Sequence, residues 1–156
     1  MIKGIDPHTN LPKADGKGVN FVGVSVVYFC HDGKGNFLMH KRSKQARDEH
    51  GNWDIGAGGL EIQHSVEETL RKEIQEEYNT KVLDFEFLGF RDVFRKHEGE
   101  TTHWITLDFK VLVDPKTVKN GEPHKFDEVR WIKIGELPSL RHSQVDIFLE
   151  KYKHRL

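Results

Sequence analysis

The strongest constraint on the fold is a short amphipathic segment with the signals of a complete helix. Its apolar residues recur every four positions and would form one buried stripe: Val66, Leu70, Ile74 and Tyr78. Ser65 with Glu68 three residues later makes a capping box, and Asn79 is suited to a left-handed stop. The sequence therefore predicts a helix from Ser65 to Asn79, with one face packed against the rest of the domain.

The segments on both sides of this helix are rich in β-branched and aromatic residues, which is typical of strands. Strands are predicted at 19–30, 37–42, 82–94, 102–113 and 128–134, with a short extended segment at 53–59. A second amphipathic helix is predicted at 143–152. This order of strands, helix, strands and helix predicts an α/β fold, with a mixed sheet and helices packed on it.

Length and charge limit the protein classes to consider. A chain of 156 residues holds one domain with a sizeable core, and we expect a polar arm at 1–18 and a single domain at 19–156. The net charge of -1 gives no electrostatic reason to bind nucleic acid or a membrane. No apolar run is long enough to cross a bilayer and no signal-peptide pattern is present. With a single cysteine, Cys30, the sequence predicts a cytoplasmic protein and leaves a homodimer open.

Three glutamates share one face of the predicted helix. Glu73 and Glu77 lie about 40° apart around the helix axis, and Glu76 lies about 60° to the other side. Glu77 borders the apolar stripe, where a carboxylate needs a partner. Clustered carboxylates without cysteine suit Mg²⁺, with Mn²⁺ as a substitute. The alternative is an ordinary acidic face, for which the ladder of Glu68, Lys72 and Glu76 is typical.

A glycine-rich segment, 56–59, comes shortly before this helix. Small residues let the backbone approach a ligand closely and present its N–H groups to phosphate. The segment and the carboxylates together predict a site for a metal-bound pyrophosphate, with Gly58 and Gly59 in contact with the substrate.

These segments resemble the Nudix hydrolase family, whose box is G-x5-E-x7-R-E-U-x-E-E-x-G-U with U a bulky aliphatic residue. The matching positions are Gly58, Glu73, Ile74, Glu76 and Glu77. The differing positions are His64 for the first Glu, Lys72 for the Arg, Asn79 for the Gly and Thr80 for the last aliphatic residue. The resemblance covers about 19–140, and the downstream segments look most like the nucleoside-triphosphate pyrophosphatase branch.

The resemblance implies an α/β/α sandwich around a mixed sheet. It also implies a reaction in which metals help water attack a phosphorus of the pyrophosphate in a nucleoside triphosphate or a nucleoside diphosphate derivative. Glu76 and Glu77 would then be metal ligands, Glu73 a ligand or the base, and the Gly58 backbone a bridge to metal or phosphate. Lys72 would orient Glu73 as a point charge, without the planar fork of an arginine.

His64 leaves several roles open, because it cannot replace the first box glutamate as an anion. It could ligate metal, act as a base, or be a loop residue without a role. The family's general base is sometimes outside the box. Glu122, Asp127 and Glu128 are candidates for the base. Lys72, Glu122 and Glu128 are also candidates for contact with the substrate.

The predicted positions of the aromatic residues divide them between the core and a nucleobase pocket. Trp104 and Trp131 lie in predicted strands and are expected to pack in the core. Phe90, Phe94 and Trp53 are candidates for lining a nucleobase pocket.

Two other functions remain open. An isopentenyl-diphosphate isomerase-like enzyme would need a suitably placed cysteine, and Cys30 at the end of a strand is a poor match. A non-catalytic nucleotide-binding module is favoured by the box departures at His64, Lys72 and Asn79. The three intact glutamates point against such a module, because a binder has little need of them.

Overall fold

The computed structural model describes residues 16–156, apart from the side chain of His97. Most of the predicted arm, 1–15, therefore lies outside the described residues. Residues 16–18 contact the domain: Lys17 Nζ donates to the Leu60 carbonyl at 2.8 Å, and the Gly18 carbonyl accepts from the His103 amide at 2.7 Å. The division into arm and domain stays a prediction.

The described chain forms seven strands and two helices. In chain order they are β1 (Gly23–His31), β2 (Asn36–Arg42), β3 (Trp53–Asp54), β4 (Gly56–Gly59), α1 (Val66–Tyr78), β5 (Val82–His97), β6 (Glu100–Val113), β7 (Phe126–Lys133) and α2 (Val145–Tyr152). The predicted polar break between β5 and β6 was too wide, because the hairpin pairs up to His97 and Glu100. Its two-residue turn, Glu98 and Gly99, has φ angles of 50° and 81°, as a tight hairpin turn requires.

All seven strands belong to one mixed sheet with the central order β3-β2-β1-β6-β5. β1 and β6 are parallel, and the other pairs are antiparallel. β4 pairs with β1, and β7 pairs with β2. This confirms the predicted α/β class with a central mixed sheet.

Each face of the sheet is covered by one helix. On one face α1 buries Leu70, Ile74 and Tyr78 against residues that include Tyr28 and Val111. On the other face α2 buries three residues in a second core: Val145, Phe148 and Tyr152. Full burial of a large apolar side chain stabilises the fold by about 1.5–3 kcal/mol, so both helices are fixed mainly by packing.

Local signals define both ends of α1, as predicted. Ser65 Oγ accepts from the Glu68 amide at 3.1 Å, and the Glu68 carboxylate accepts from the Ser65 amide at 2.7 Å. Asn79 ends the helix with a φ of 52°. Because Glu68 closes the cap, the predicted acidic ladder is reduced to Lys72 and Glu76, whose charged atoms lie 3.9 Å apart.

Two further expectations concern Cys30 and the membrane. Cys30 is buried in the core between α1 and the sheet, which we call the α1-side core; the core under α2 is the α2-side core. Burial raises the pKa of the Cys30 thiol well above the usual range. Within residues 16–156, neither helix is long and apolar enough to span a bilayer.

Candidate active site

Strand β4 lies directly against helix α1. A Cβ atom at Gly58 would overlap Cγ and Cδ of Glu73, and one at Gly56 would overlap the Tyr28 ring. Because side chains alternate along a strand, these two glycines face α1, while Ala57 and Gly59 face the opposite side of the sheet. The β4 backbone therefore separates the carboxylates of α1 from the space on the other side.

Glu77 is the most buried of the three helix carboxylates, with 5% of its surface exposed. Burial raises its pKa well above the usual range, and the charges of Glu73 and Glu122 raise it further. The Tyr28 hydroxyl is near enough to oppose this shift, yet neither Tyr28 Oη nor Glu77 Oε2 makes a hydrogen bond of normal geometry with a described residue. Such a carboxylate has an oxygen available for a cation.

Glu73, Glu76 and Glu77 together form a surface of α1 that we call the carboxylate face. Glu73 and Glu76 lie in different environments. Glu73 is half-buried, and this burial together with the charge of Glu76 raises its pKa to about 6. Glu76 is exposed at the surface of α1. The structure thus brings all three predicted glutamates to one face of one helical turn.

Lys72 does not form the expected ion pair with Glu73. Its Nζ lies 3.7 Å from Glu61 Oε2 and 3.9 Å from Glu76 Oε1. Adjacent residues of a helix point about 100° apart, so Lys72 reaches residues across the turn instead of its neighbour. The charge of Lys72 still acts on Glu73 and lowers its pKa, against the larger effects of burial and of Glu76. The orientation of Glu73 by Lys72 as a point charge stays a prediction.

His64 lies on the turn immediately before α1. Its side chain is exposed, and Nδ1 lies 3.7 Å from Glu61 Oε2. Glu61 therefore lies beside both His64 and Lys72, the two residues that depart from the box. No motif in the sequence singles out Glu61.

The loop before β7 brings Glu122 to the carboxylate face. The Gly121 amide donates to the Glu77 carbonyl at 3.0 Å, and a Cβ atom at Gly121 would overlap the Glu76 carbonyl oxygen. The next residue, Glu122, is largely buried and its Oε2 lies 2.8 Å from Lys125 Nζ. The charge of Glu122 acts on both Glu73 and Glu77.

The other two candidates for the general base are not brought to this face. Asp127 is exposed on β7. Glu128 accepts from Arg130 Nε at 2.8 Å, and its charge is not among those that chiefly shift Glu73 and Glu77. Of the three base candidates outside the box, Glu122 is therefore the one whose charge acts on Glu73 and Glu77. A substrate contact by Glu128 lacks geometric support.

A cavity of about 300 Å³ opens on the side of β4 that faces away from α1. Ala57, Gly58 and Gly59 form part of its wall, so the cavity adjoins the carboxylate face through the β4 backbone. Trp104 also lines it. The expectation that Trp104 packs in the core was therefore wrong, whereas Trp131 does pack against the α1-side core.

The residues predicted to line a nucleobase pocket do not line this cavity. Phe90 and Phe94 are exposed on β5, and Trp53 is buried in the α2-side core. The register of β5 shifts between Phe87 and Gly89, and a one-residue shift moves every later side chain to the other face. As a result Arg91, Val93 and Arg95 face the cavity.

Ion pairs that the sequence did not reveal surround the cavity mouth. Ligating atoms of Asp48, Glu49 and His142 lie within 4.8 Å of one another, the one such group found in the described part of the chain. Arginines already neutralise it: Arg42 lies 2.9 Å from Asp48, and Arg95 lies 2.6 Å from Glu49. We therefore interpret Asp48, Glu49 and His142 as a structural ion-pair network at the cavity mouth.

A second unforeseen network lies below the cavity. Arg91 donates to both carboxylate oxygens of Asp108, at 2.7 and 3.0 Å, and the Tyr152 hydroxyl donates to Asp108 at 2.7 Å. Asp108 is fully buried. A charged residue at an inward position of an apolar strand is the signal that could have identified this network, because such a charge needs a partner.

Comparison with known proteins agrees with this architecture. The family model described as NUDIX domain matches residues 20–152. Nucleoside triphosphatase NudI of Klebsiella pneumoniae (strain 342) is 29% identical over 111 residues, which cover 67% of this chain and 77% of that protein. RNA pyrophosphohydrolase of Acidiphilium cryptum is 25% identical over 129 residues, covering 75% and 77%.

Solved structures show the same fold. A MutT NUDIX hydrolase from Burkholderia pseudomallei superposes with a TM-score of 0.72 at 22% identity, covering 83% of this chain and 96% of that one. A MutT protein from Methanosarcina mazei Go1 superposes with a TM-score of 0.66 at 22% identity, covering 85% and 94%.

Proposed function

Since the chain belongs to the NUDIX domain family and is a pyrophosphohydrolase, we propose that it uses a divalent cation to cleave the pyrophosphate linkage of a nucleotide. The substrate is a nucleoside triphosphate or a nucleoside diphosphate derivative. Relatives named as nucleoside triphosphatases favour the triphosphate. Magnesium is the expected cation, with manganese as a substitute.

The observation that carries this proposal is the environment of Glu77. Its buried Oε2 has no hydrogen-bond partner of normal geometry among the described residues, and Glu73 and Glu122 add negative charge beside it. Oxygen ligands without a thiolate fit a hard cation. Mg²⁺ keeps several waters and uses only one or two protein carboxylates, so the helix glutamates need not converge tightly on it.

Each residue of the site has a proposed role. Glu76 and Glu77 hold the cation, Glu73 is a further ligand or the base, and the Gly58 backbone contacts metal or phosphate. When bound, the cation would neutralise the phosphate charge and make water a better nucleophile. A carboxylate of this chain, Glu73 or Glu122, accepts the proton of the attacking water.

The cavity gives the nucleoside a place to bind. It adjoins Gly58 and Gly59, so a nucleotide with its pyrophosphate at the carboxylate face can extend past β4 into it. The net charge of -1 favours a small-molecule substrate over nucleic acid. We also propose a cytoplasmic location, because a single buried cysteine suits a reducing compartment.

The two rival functions differ in what they require. An isomerase of the isopentenyl-diphosphate type would need a reactive cysteine, but burial raises the pKa of the Cys30 thiol and the residue belongs to the α1-side core. A non-catalytic binder would have little need of a buried Glu77 whose Oε2 lacks a hydrogen-bond partner of normal geometry among the described residues.

A nucleotide panel tests the proposal. Nucleoside triphosphates and nucleoside diphosphate derivatives are incubated with the protein and Mg²⁺, and products are separated by chromatography. We expect nucleoside monophosphate together with pyrophosphate or the released phosphorylated group. Binding of nucleotides in calorimetry without any turnover would contradict the proposal and support the binding module.

A further inference from the structure

One row of residues crosses the cavity floor from strand to strand. Gly59 on β4 pairs with Ser25 on β1, and Ser25 pairs with Thr106 on β6. Thr106 in turn pairs with Arg91 on β5, and all four residues line the cavity. The row therefore leads from the strand that contacts Glu73 to the far side of the cavity.

The Thr106 hydroxyl lacks a partner in this row. The residue is 6% exposed, and its Oγ1 makes no hydrogen bond within the described part of the chain. Buried hydroxyl groups are nearly always hydrogen-bonded, since leaving one unpaired costs free energy. Because Thr106 lines the cavity, a group of the bound ligand can supply the missing partner.

Arg91 is held rigidly beside Thr106. Its Nε and Nη2 are bonded to Asp108, whereas Nη1 makes only a long 3.4 Å contact with Gln144 Oε1. An arginine offers donors and no acceptor. The Nη1 group can therefore bind a hydrogen-bond acceptor of a ligand but would oppose another donor.

Trp104 provides an aromatic wall next to the polar row. It lies between Gly23 and Val93 in the neighbouring row of the sheet. The indole packs so closely on Gly18 and Gly23 that a Cβ atom at either position would overlap the ring. A fixed aromatic ring beside hydrogen-bonding groups suits a planar heteroaromatic ligand.

We propose that Arg91 and Thr106 read the edge of a nucleobase and select bases that carry a carbonyl oxygen there. Arg91 Nη1 donates to that oxygen, and the Thr106 hydroxyl accepts from the adjacent ring N–H. In an amino base the carbonyl is replaced by an NH₂ group. Both this group and Arg91 Nη1 are hydrogen-bond donors, so they cannot bond to each other. The inference rests on the proposed function in taking the cavity as the nucleoside site.

Matched pairs of nucleoside monophosphates test this selection without hydrolysis. Inosine and adenosine monophosphates differ at one exocyclic group, as do uridine and cytidine monophosphates. Calorimetry or NMR titration of the full chain in chelator measures their affinities. We expect the keto member of each pair to bind roughly tenfold more tightly or better, because a hydrogen-bonding site rejects a ligand that leaves its groups unpaired. Equal affinities, a preference for the amino members, or no binding would overturn the proposal.

A second experiment examines Thr106 directly. Thr106→Val should weaken binding of inosine and uridine monophosphates roughly tenfold, while the affinity for base-free ribose 5-phosphate stays unchanged. Its melting temperature should not fall, since an unbonded hydroxyl is removed. Thr101→Val, an exposed position on the same strand, is the matched control and should change neither quantity. Unchanged affinity of the Thr106→Val variant for both keto nucleotides would overturn the proposal.

Arg91→Lys separates base selection from the rest of the site. Lysine can keep a charge near Asp108 but lacks the rigid fork, so the keto preference should fall toward unity. A retained preference would show that Arg91 does not read the base. Selective binding of keto bases without nucleotide turnover would contradict the proposed hydrolase activity but not base selection. Turnover without base selection would contradict base selection but not the hydrolase activity.

Discussion

Glu77 combines an unfavourable position with its proposed role as a metal ligand. Burial raises its pKa, the charges of Glu73 and Glu122 add to the shift, and Oε2 lacks a hydrogen bond of normal geometry to any described residue. Its ionised form therefore destabilises the metal-free fold and would be relieved by a cation.

We predict that Glu77→Gln abolishes turnover and weakens cation binding, yet melts at the same or a higher temperature in chelator. The gain in stability should be at most about 1–3 kcal/mol, the usual range for relieving a buried unpaired group. Glu67→Gln, exposed on the first turn of α1, is the matched control and should keep activity. A clear drop in the melting temperature of Glu77→Gln would mean that this carboxylate already has a structural partner.

His64 allows a prediction about metal preference. Imidazole suits Mg²⁺ less well than a carboxylate does but is acceptable to Mn²⁺. His64→Glu should therefore raise Mg²⁺-supported turnover more than Mn²⁺-supported turnover, measured as initial rates with each metal. His64→Ala serves as the comparison. If both variants match the parent with both metals, His64 is a loop residue without a role in the site.

For individual residues, the sequence predicts the positions of the helix carboxylates better than it predicts which residues line the cavity. Glu73, Glu76 and Glu77 are set by spacing along one helix, which a sequence displays directly. The neighbours of Thr106 and Arg91 depend on strand pairing over distances that no local pattern reveals. The position of Trp104 on the cavity wall was not predicted for the same reason.

Among the elements, β4 and α1 depend on each other most closely. The absence of a side chain at Gly58 leaves room for the Glu73 side chain, whereas nothing lies within 4 Å of a Cβ atom at Gly59. The two neighbouring glycines therefore provide a matched pair of variants.

We predict that Gly58→Ala displaces the Glu73 side chain and weakens Mn²⁺ binding roughly tenfold or more, the loss expected for perturbing a metal ligand. Gly59→Ala should keep both Mn²⁺ affinity and melting temperature. Electron paramagnetic resonance of Mn²⁺ titrations in the absence of nucleotide measures the affinity. Equal Mn²⁺ affinity of the two variants would contradict a close functional contact between β4 and Glu73.

The elements also show why some boundaries could be predicted and others could not. The ends of α1 are set by Ser65, Glu68 and Asn79 within the segment itself. The register shift in β5 depends on pairing with β6, and Gly89, a glycine inside the strand with a φ of 149°, is the one local signal of it. That shift alone turns Phe90 and Phe94 away from the cavity.

His40, a buried histidine, should make the free energy of unfolding of the whole molecule depend on pH. Its Nδ1 lies 2.8 Å from the Tyr78 hydroxyl, and its ring stacks on Phe126 at 3.8 Å. Burial, and then the charge of Arg42, lowers its pKa from 6.5 to about 3. Between these values the unfolded chain binds a proton that the folded chain does not, so stability falls as pH falls.

This loss should amount to at most about 1.4 kcal/mol per pH unit between pH 6.5 and 3. Urea unfolding at a series of pH values measures it. His40→Gln should flatten the slope by that amount, while His50→Gln, an exposed position, should leave it unchanged. Identical slopes for the parent and His40→Gln would show that His40 is not held neutral by the fold.

For the whole molecule, we expect the carboxylate face of α1 to hydrolyse nucleotides only with a divalent cation. The most direct test is the release of phosphate or pyrophosphate from the nucleotide panel, with Mg²⁺ or Mn²⁺ and then with excess chelator. We predict turnover with either metal, complete loss in chelator, and recovery when the metal is restored. Turnover that continues undiminished in excess chelator would contradict the metal mechanism.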